Sequence, residues 1–358
     1  MKNILLVGSG WGGSSFVKNI DTDKYNVTVV SMNDNFIYTP LLPSSIFFNF
    51  NLNYKINKLN KINFVKEEVK DIDFKNNKII LDKNNMEYDY LVLAHGSTVN
   101  TFNITGVKEN CVFLKDDNDV ENIKKKLANL PFGSKIAVIG CGLTGSEIIG
   151  NLIDTKKYKI SAIDGLKLPV PVFNETISNF VLDVWKKNNV NLLFNNFVSK
   201  MDDNKIYFKN KSIGYDLAFW CGGIKANNLT NKINENLMLT CRFGIPVNKN
   251  LKVDKTENVY AIGDCSYSEN PPTAQVANQQ GKYLANNFNN NFRNQQGFEF
   301  KSKGQICYVG DGNSVYQNNY FSGKGKIIGY LNNFVHIYNA INFDQMKTFT
   351  KNIFGKNS

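Results

Sequence analysis

The chain has 358 residues, 42% of them hydrophobic and 20% charged, with 42 Lys+Arg against 31 Asp+Glu for a formal charge of +11. That length predicts two domains or three, each large enough for its own core, and no run of ~18 apolar residues predicts a transmembrane helix. The six cysteines (Cys111, Cys141, Cys221, Cys241, Cys265 and Cys307) are far apart and form no CxxC. This excludes a zinc module or disulfide scaffold and points to a reducing compartment. Only Arg242 and Arg293 are arginines, and asparagine supplies roughly one residue in six. The positive charge is therefore divided among codon bias on solvated faces, anionic cofactors and an anionic membrane surface. Nucleic acid is set aside, because base readout leans on arginine.

No basic, apolar or Arg/Ser-rich leader opens the sequence. Asn3 to Val7 is a continuous apolar run, as a parallel strand buried on both faces should read. Gly8-Ser9-Gly10-Trp11-Gly12-Gly13 follows, then a helical segment from Ser14 to Ile20 and a second strand from Asn26 to Ser31. In this GxGxxG, Gly8 makes the tight turn, Gly10 admits a pyrophosphate to backbone N–H groups, and Gly13 lets the helix pack close to the strand. Gly8, Gly10, Trp11, Gly12 and Gly13 are thus candidate contacts to a first dinucleotide. One feature departs from the fingerprint, because the second strand ends in Ser31 and not in an acid. Ser31 can hydrogen-bond a ribose but brings no charge.

Residues 135–139 repeat the device. Gly140-Cys141-Gly142-Leu143-Thr144-Gly145 follows them and leads into a helix. The next strand, Tyr158 to Ile163, ends in Asp164, 24 residues after Gly140, near the spacing for a ribose 2′-hydroxyl ligand. An acid there favours NADH over NADPH, with Lys167 weakening the preference slightly. Gly140, Gly142, Thr144, Gly145 and Asp164 are candidate contacts to a second dinucleotide, and the pair is most simply FAD plus NADH. Glu147 is either an ordinary first-turn helix acid or a group beside the nicotinamide; the second reading is preferred. Three further strands stop in small residues: Tyr88 to Ala94 before His95-Gly96-Ser97, Leu217 to Trp220 before Cys221-Gly222-Gly223, and Asn258 to Ile262 before Gly263-Asp264. Ligands of open α/β sheets sit outside such carboxyl ends. Ala94, Gly96, Gly222, Gly223 and Gly263 are accordingly candidates. Asp264 is read as an acceptor for ribityl hydroxyls, against the ordinary alternative of a helix cap. His95 and His336 are read as packing residues.

These stretches resemble the type II (alternative) NADH:quinone oxidoreductases, a family within the two-dinucleotide-domain flavoproteins. The residues that carry the resemblance are LLVGSGWGGSSFVKNIDTDKYNVTVVS, NFIYTPLLPS, YDYLVLAHGS, GVKENCVFLKDDND, IAVIGCGLTGSE, YAIGDCSYSENPPTAQVANQQGKYLANNF, CYVGDGNSVYQ and KTFTKNIFGK. The resemblance implies an α/β fold in which a Rossmann-like FAD domain (1–115 and 245–290) is interrupted by a NADH domain (116–244), with a C-terminal membrane-associating or dimerisation segment (291–358). It implies that Thr39, Pro40 and Leu41 touch FAD, and that a small polar residue such as Ser31 replaces the ribose acid. It also implies a non-proton-pumping activity in which a hydride passes from NADH to FAD and two electrons then pass to a quinone. Departures are a shorter chain, shortened connections at 127–134 and 151–157, no presequence or calcium-binding insertion, and a C-terminal region poor in Trp and Arg.

The quinone site is assigned to Pro271–Leu284. Ala274, Gln275, Ala277, Asn278 and Gly281 are expected to form a small-residue face, with Gln275 and Gln279 at i, i+4 offering amides to quinone carbonyls. The competing reading is a helix that simply packs beside the flavin, its glutamines solvated. Residues 315–354 combine Tyr316, Tyr320, Phe321, Tyr330, Phe334, Tyr338, Phe343, Phe349 and Phe354 with Lys324, Lys326, Lys347 and Lys351 (and Lys356 just beyond), the pattern of a monotopic membrane surface. A capping layer or homodimer interface is the alternative. The expected location is a peripheral membrane site on a matrix- or cytoplasm-type reducing side. Other functions weighed were a sulfide:quinone reductase, which would need Cys141, Cys265 or Cys307 near the flavin, and a non-catalytic NADH-responsive flavoprotein like the apoptosis-inducing factors.

Overall fold

The computed structural model describes residues 1–293 and 296–338. It divides into two compact units, each assembled from three stretches of chain: 1–37, 53–98 and 224–301 in the first; 38–52, 99–223 and 302 onward in the second.

In the first unit, five parallel strands run in the order Val259–Ala261, Tyr90–Leu93, Lys2–Val7, Tyr25–Val30, Asn63–Val65. Alternate residues of the opening strand feed two separate cores. Ile4 and Leu6 pack with Phe16, Val17, Leu284 and Phe288 of two helices, while Leu5 and Val7 pack with Leu93, Ile233 and Ile245 on the other side. Burial on both faces is why the strand reads as an unbroken apolar run. The helices Trp11–Asn19 and Ala274–Asn289 lie against each other at Gly12 and Gly281, where a Cβ on Gly281 would stand 2.3 Å from the Gly12 carbonyl oxygen. Phe288 closes this layer, unexposed, with edge-on rings at Phe16, Tyr25, Tyr90, Tyr260 and Phe292.

The second unit repeats the pattern with Cys111–Val112, Leu217–Trp220, Lys135–Ile139, Lys159–Ile163, Asn191–Leu193, again all parallel. Here Ile136 and Val138 face one core, Ala137 and Ile139 the other. An antiparallel sheet, Gln305–Gly310, Asn313–Gln317 and Ser322–Gly325, belongs to this unit, and Trp185 donates its indole N–H to Val309 O at 3.1 Å. The helix Lys326–Tyr338 follows, burying Ile328 and Asn332 and exposing Ile327, Tyr330 and Leu331.

Two expectations about organisation change. The second unit takes residues 99–115 and 38–52, so its boundaries differ from 116–244, and residues 224–244 belong to the first unit. Residues 302–338 are packed into the second unit and do not form a segment of their own. The reason is visible at Gly150, where an added Cβ would lie 2.7 Å from the Gly310 nitrogen: the Leu143–Thr155 helix is built to receive this sheet. Phe343, Lys347, Phe349, Lys351, Phe354 and Lys356 lie outside the described residues, as do the side chains of Phe334, His336 and Tyr338.

Candidate functional site

The two glycine loops are built alike. Gly8 (φ +106°) and Gly140 (φ +92°) occupy the left-handed region, and a Cβ on either would strike the neighbouring strand end, at 2.3 Å from Ala94 O and 2.4 Å from Cys221 O. Gly13 and Gly145 allow no Cβ because Gly8 O and Gly140 O would be 2.2 and 1.9 Å away. Gly10 and Gly142 are different: each is the N-cap of its helix, with φ near −70° and ψ near −162°, and a Cβ on either would meet nothing within 4 Å. The first and last glycines of each GxGxxG thus serve the protein's own packing, and the middle one borders open space at a helix N-terminus. That is where a pyrophosphate would accept N–H donors. Corresponding serines lock both loops, Ser14 Oγ donating to Ser9 O at 2.9 Å and Ser146 Oγ to Cys141 O at 3.2 Å. Trp11 stands at the start of the first helix with its ring edge-on to Phe36 at 4.9 Å. Thr144 holds the corresponding turn of the second helix and is exposed.

The duplication aligns Ser31 with Asp164. Each main-chain N–H bonds the third strand, Ser31 to Val65 O and Asp164 to Leu193 O, both at 3.1 Å. Each side chain accepts from the residue two ahead, Ser31 Oγ from Asn33 N and Asp164 Oδ1 from Leu166 N. Each also meets the second residue of its glycine loop: Ser31 Oγ lies 3.1 Å from Ser9 Oγ, and Asp164 Oδ2 accepts from Cys141 N at 2.7 Å. The first unit therefore presents a neutral hydroxyl and the second a fixed carboxylate at the same point.

At the remaining strand ends, Gly96 (φ +68°) and Gly223 (φ +114°) border open space, and Ala94 is buried beneath Gly8. Gly222 serves packing, since a Cβ there would enter the Trp220 ring at 2.8 Å. The Gly263–Cys265 turn carries Asp264, whose Oδ2 accepts from Ser97 Oγ at 3.2 Å. Thr39, Pro40 and Leu41 form a tight 3-10 turn within the second unit.

The helix Ala274–Asn289 corrects the expected quinone face. Ala277 and Gly281 are buried against the Trp11–Asn19 helix, and Asn278 is exposed, its carbonyl accepting from Ser15 Oγ. Gln279 is bonded to the chain itself: its amide donates to Lys301 O at 2.9 Å and accepts from Lys301 N at 3.0 Å. Ala274 and Gln275, in the first turn beyond the Thr273 cap, are the half-buried pair that remains. The glutamine overlooked in the sequence is Gln280. Wholly buried, it accepts from Gly263 N at 2.7 Å and donates to Ser268 Oγ at 2.8 Å, holding the turn that bears Asp264. Its position on the buried stripe with Val276, Ala277, Gly281 and Leu284 was the available signal, because a polar group on a core stripe requires partners.

Glu147 lies in the Leu143–Thr155 helix, half-buried; desolvation pushes its carboxyl up to about 8, and a hydrogen bond accepted from the backbone N–H of Tyr308 partly offsets the shift. His95 is half-buried, with Nε2 3.0 Å from Thr230 Oγ1, and desolvation lowers its pKa to about 4. Burial also pushes the Cys265 thiol up to about 12 and those of Cys141 and Cys307 well above the usual range. None is poised as the thiolate that sulfide or disulfide chemistry requires. Among the described residues no group of His, Cys, Asp and Glu is placed to hold a metal, and no helix is long and apolar enough to cross a membrane.

A sequence profile of the pyridine nucleotide-disulphide oxidoreductases matches residues 2–281. The chain belongs to this family. This family member is 30% identical over 338 residues to an external mitochondrial NADH-ubiquinone oxidoreductase of Saccharomyces cerevisiae, covering 79% of this chain and 62% of that one. It is 28% identical over 379 residues to a probable NADH dehydrogenase of Dictyostelium discoideum, covering 92% and 83%. It spans 62% of the length of several of the curated relatives it matches. A solved structure of NDH2 from Plasmodium falciparum in complex with NADH superimposes with a TM-score of 0.93 at 25% identity, over 99% of this chain and 98% of that one.

Proposed function

We propose that this protein is a type II NADH:quinone oxidoreductase that holds FAD in the first unit and binds NADH in the second. The observation that carries the reading is the pair of duplicated glycine loops, each met at its second residue by the end of the next strand, which offers the neutral Ser31 in the first unit and the fixed Asp164 in the second. Both loops fit a dinucleotide, because Gly10 and Gly142 leave open the space a pyrophosphate requires. Bound FAD supplies the redox chemistry, accepting a hydride and passing on two electrons.

What the chain itself does follows from its residues. Gly8, Gly10, Gly12 and Gly13 orient the flavin dinucleotide at a helix N-terminus. Ser31 meets its ribose, and Asp264, steadied by Ser97 and by the Gln280 clamp on Gly263, accepts from the ribityl hydroxyls. In the second unit Gly142 admits the NADH pyrophosphate, and Asp164 accepts from the adenosine ribose and repels a 2′-phosphate. Glu147, its carboxyl pKa raised by desolvation, contacts the nicotinamide end. Gln275, half-buried in the first turn of its helix, contacts a quinone carbonyl through its amide. The relatives named as NADH-ubiquinone oxidoreductases support a quinone as acceptor.

The exposed apolar residues of Lys326–Tyr338, together with Tyr320 (96% exposed), Phe321, Lys324 and Lys326, support a peripheral seat on an anionic membrane, on a matrix- or cytoplasm-type side. A homodimer through the same surface is the competing arrangement. Co-flotation with vesicles containing anionic lipid, lost in an Ile327→Glu/Tyr330→Glu chain, supports the membrane seat; flotation unchanged by the substitutions removes this surface from it. Turnover of NADH with a short-chain quinone tests the function. Gln275→Ala should raise KM for the quinone while flavin reduction by NADH proceeds as before, and slowed flavin reduction alone would refute the Gln275 assignment.

A further inference from the structure

Phe197 is an exposed aromatic whose position the proposed chemistry has not yet used. It is 76% exposed, yet its ring is not loose: it packs on Gly165 so closely that a Cβ there would stand 2.3 Å from a ring carbon. The loop that carries it is tied to the loop after Asp164 by two main-chain hydrogen bonds, Asn195 N to Leu166 O and Asn196 N to Asp164 O, both at 3.0 Å. Asn196 also donates its side-chain amide to Phe194 O at 2.6 Å, and Asn195 sits at φ +56°, so the loop is shaped for this contact. Both loops leave the carboxyl ends of neighbouring parallel strands, Lys159–Ile163 and Asn191–Leu193. That edge is where nucleotides lie in doubly wound sheets.

Exposure alone does not single out Phe197, since Phe132 is 81% exposed in the same unit. Phe132, however, precedes the strand Lys135–Ile139 and stands at its amino end, away from any glycine loop. Phe197 continues a line whose chemistry follows a nucleotide outward. Open backbone at Gly142 suits phosphate. Asp164, joined to that loop through Cys141 N, suits the ribose. A fixed apolar face comes next, where the base would be, with the half-exposed Leu166 beside it.

We propose that Phe197 is the stacking wall for the adenine of the dinucleotide bound by the second glycine loop, and that Gly165 is glycine so that this ring can seat. The inference rests on the reading that the second unit binds NADH. It assigns to Phe197 affinity for the adenine half of the coenzyme, independent of the nicotinamide.

The test is titration calorimetry of the FAD-loaded protein with ADP-ribose, which has the adenosine diphosphate but no nicotinamide. Phe197→Ala should weaken binding by about 10-fold, the lower range for loss of one base–aromatic stack at an open site. Phe197→Tyr should restore it, and Gly165→Ala, which displaces the ring, should weaken it in the same direction. The KM ratio of reduced nicotinamide mononucleotide to NADH should fall by a similar factor in Phe197→Ala, because only NADH has an adenine to lose. Equal ADP-ribose affinity in the parent and Phe197→Ala proteins would overturn the inference and leave the NADH reading intact. A parent protein that binds neither ADP-ribose nor NADH would overturn both.

Discussion

The contrast between the second glycine of each loop, Gly10 or Gly142, and its neighbours makes Gly142→Ala an informative substitution. Its backbone (φ −70°, ψ −162°) is open to any L-residue, and the added methyl meets nothing within 4 Å. The folded protein should therefore shift by no more than about 1 kcal/mol, the lower chain entropy of alanine opposing its poorer N-capping. The ligand is affected differently. A methyl in the approach space holds the pyrophosphate away from the helix N-terminus, and each charge-assisted hydrogen bond lost there is worth about 1.5–3 kcal/mol. Loss of one such bond corresponds to about 10- to 100-fold weaker NADH binding. Gly145→Ala provides the comparison, since its Cβ would lie 1.9 Å from Gly140 O and must displace the loop or helix. Thermal unfolding, bound-flavin absorbance and NADH titration on the three proteins separate the effects. Gly142→Ala should keep its flavin and Tm and lose NADH, whereas Gly145→Ala should lose stability. A Gly142→Ala protein that binds NADH as tightly as the parent would refute the assignment of that open space to the coenzyme.

Other substitutions follow from the same geometry. Asp164→Asn keeps an acceptor for only one of Cys141 N and Leu166 N and removes the charge facing a 2′-phosphate, so the NADPH/NADH ratio of kcat/KM should rise about tenfold; an unchanged ratio removes Asp164 from coenzyme selection. Glu147 titrates near 8 when folded and nearer the ordinary carboxyl value when unfolded, so the native chain retains a proton that the unfolded chain releases. Its contribution should make stability fall as pH rises over roughly pH 5–8 and level off above, and in urea titrations Glu147→Gln should flatten that slope; parallel slopes would contradict the burial assigned to Glu147. Phe288→Ala opens a cavity inside a ring of five aromatics and should cost about 3–5 kcal/mol in denaturant unfolding.

The sheets were readable because parallel strands buried on both faces leave unbroken apolar runs: 135–139 and 217–220 appear in the structure with the limits read from sequence. The glycine loops were readable because only glycine satisfies the clashes at Gly8, Gly13, Gly140 and Gly145. Residues whose roles depend on contacts distant in sequence were less legible. Gln279 and Gln280 are adjacent and identical, and only the folded chain distinguishes the one that bonds Lys301 from the one that clamps Gly263. Helical spacing placed Gln275 and Gln279 on one face, but it carries no information on Lys301, which lies beyond the end of that helix. The small residues Ala277 and Gly281 suited a flat ring and a neighbouring helix equally, and the structure gives them to the helix. The limits of the two units were hidden for a similar reason, since segment 38–52 joins the second unit through packing such as that of Ile46.

The central claim is that electrons pass from NADH through a bound flavin to a quinone, and anaerobic stopped-flow absorbance of the flavin in two steps tests it most directly. The account predicts rapid bleaching on mixing with NADH and full recovery of the oxidised spectrum on mixing the reduced protein with a short-chain quinone. Bleaching without recovery by quinone would contradict the proposed function, and a purified chain with no flavin spectrum would contradict the assignment of the first glycine loop as well.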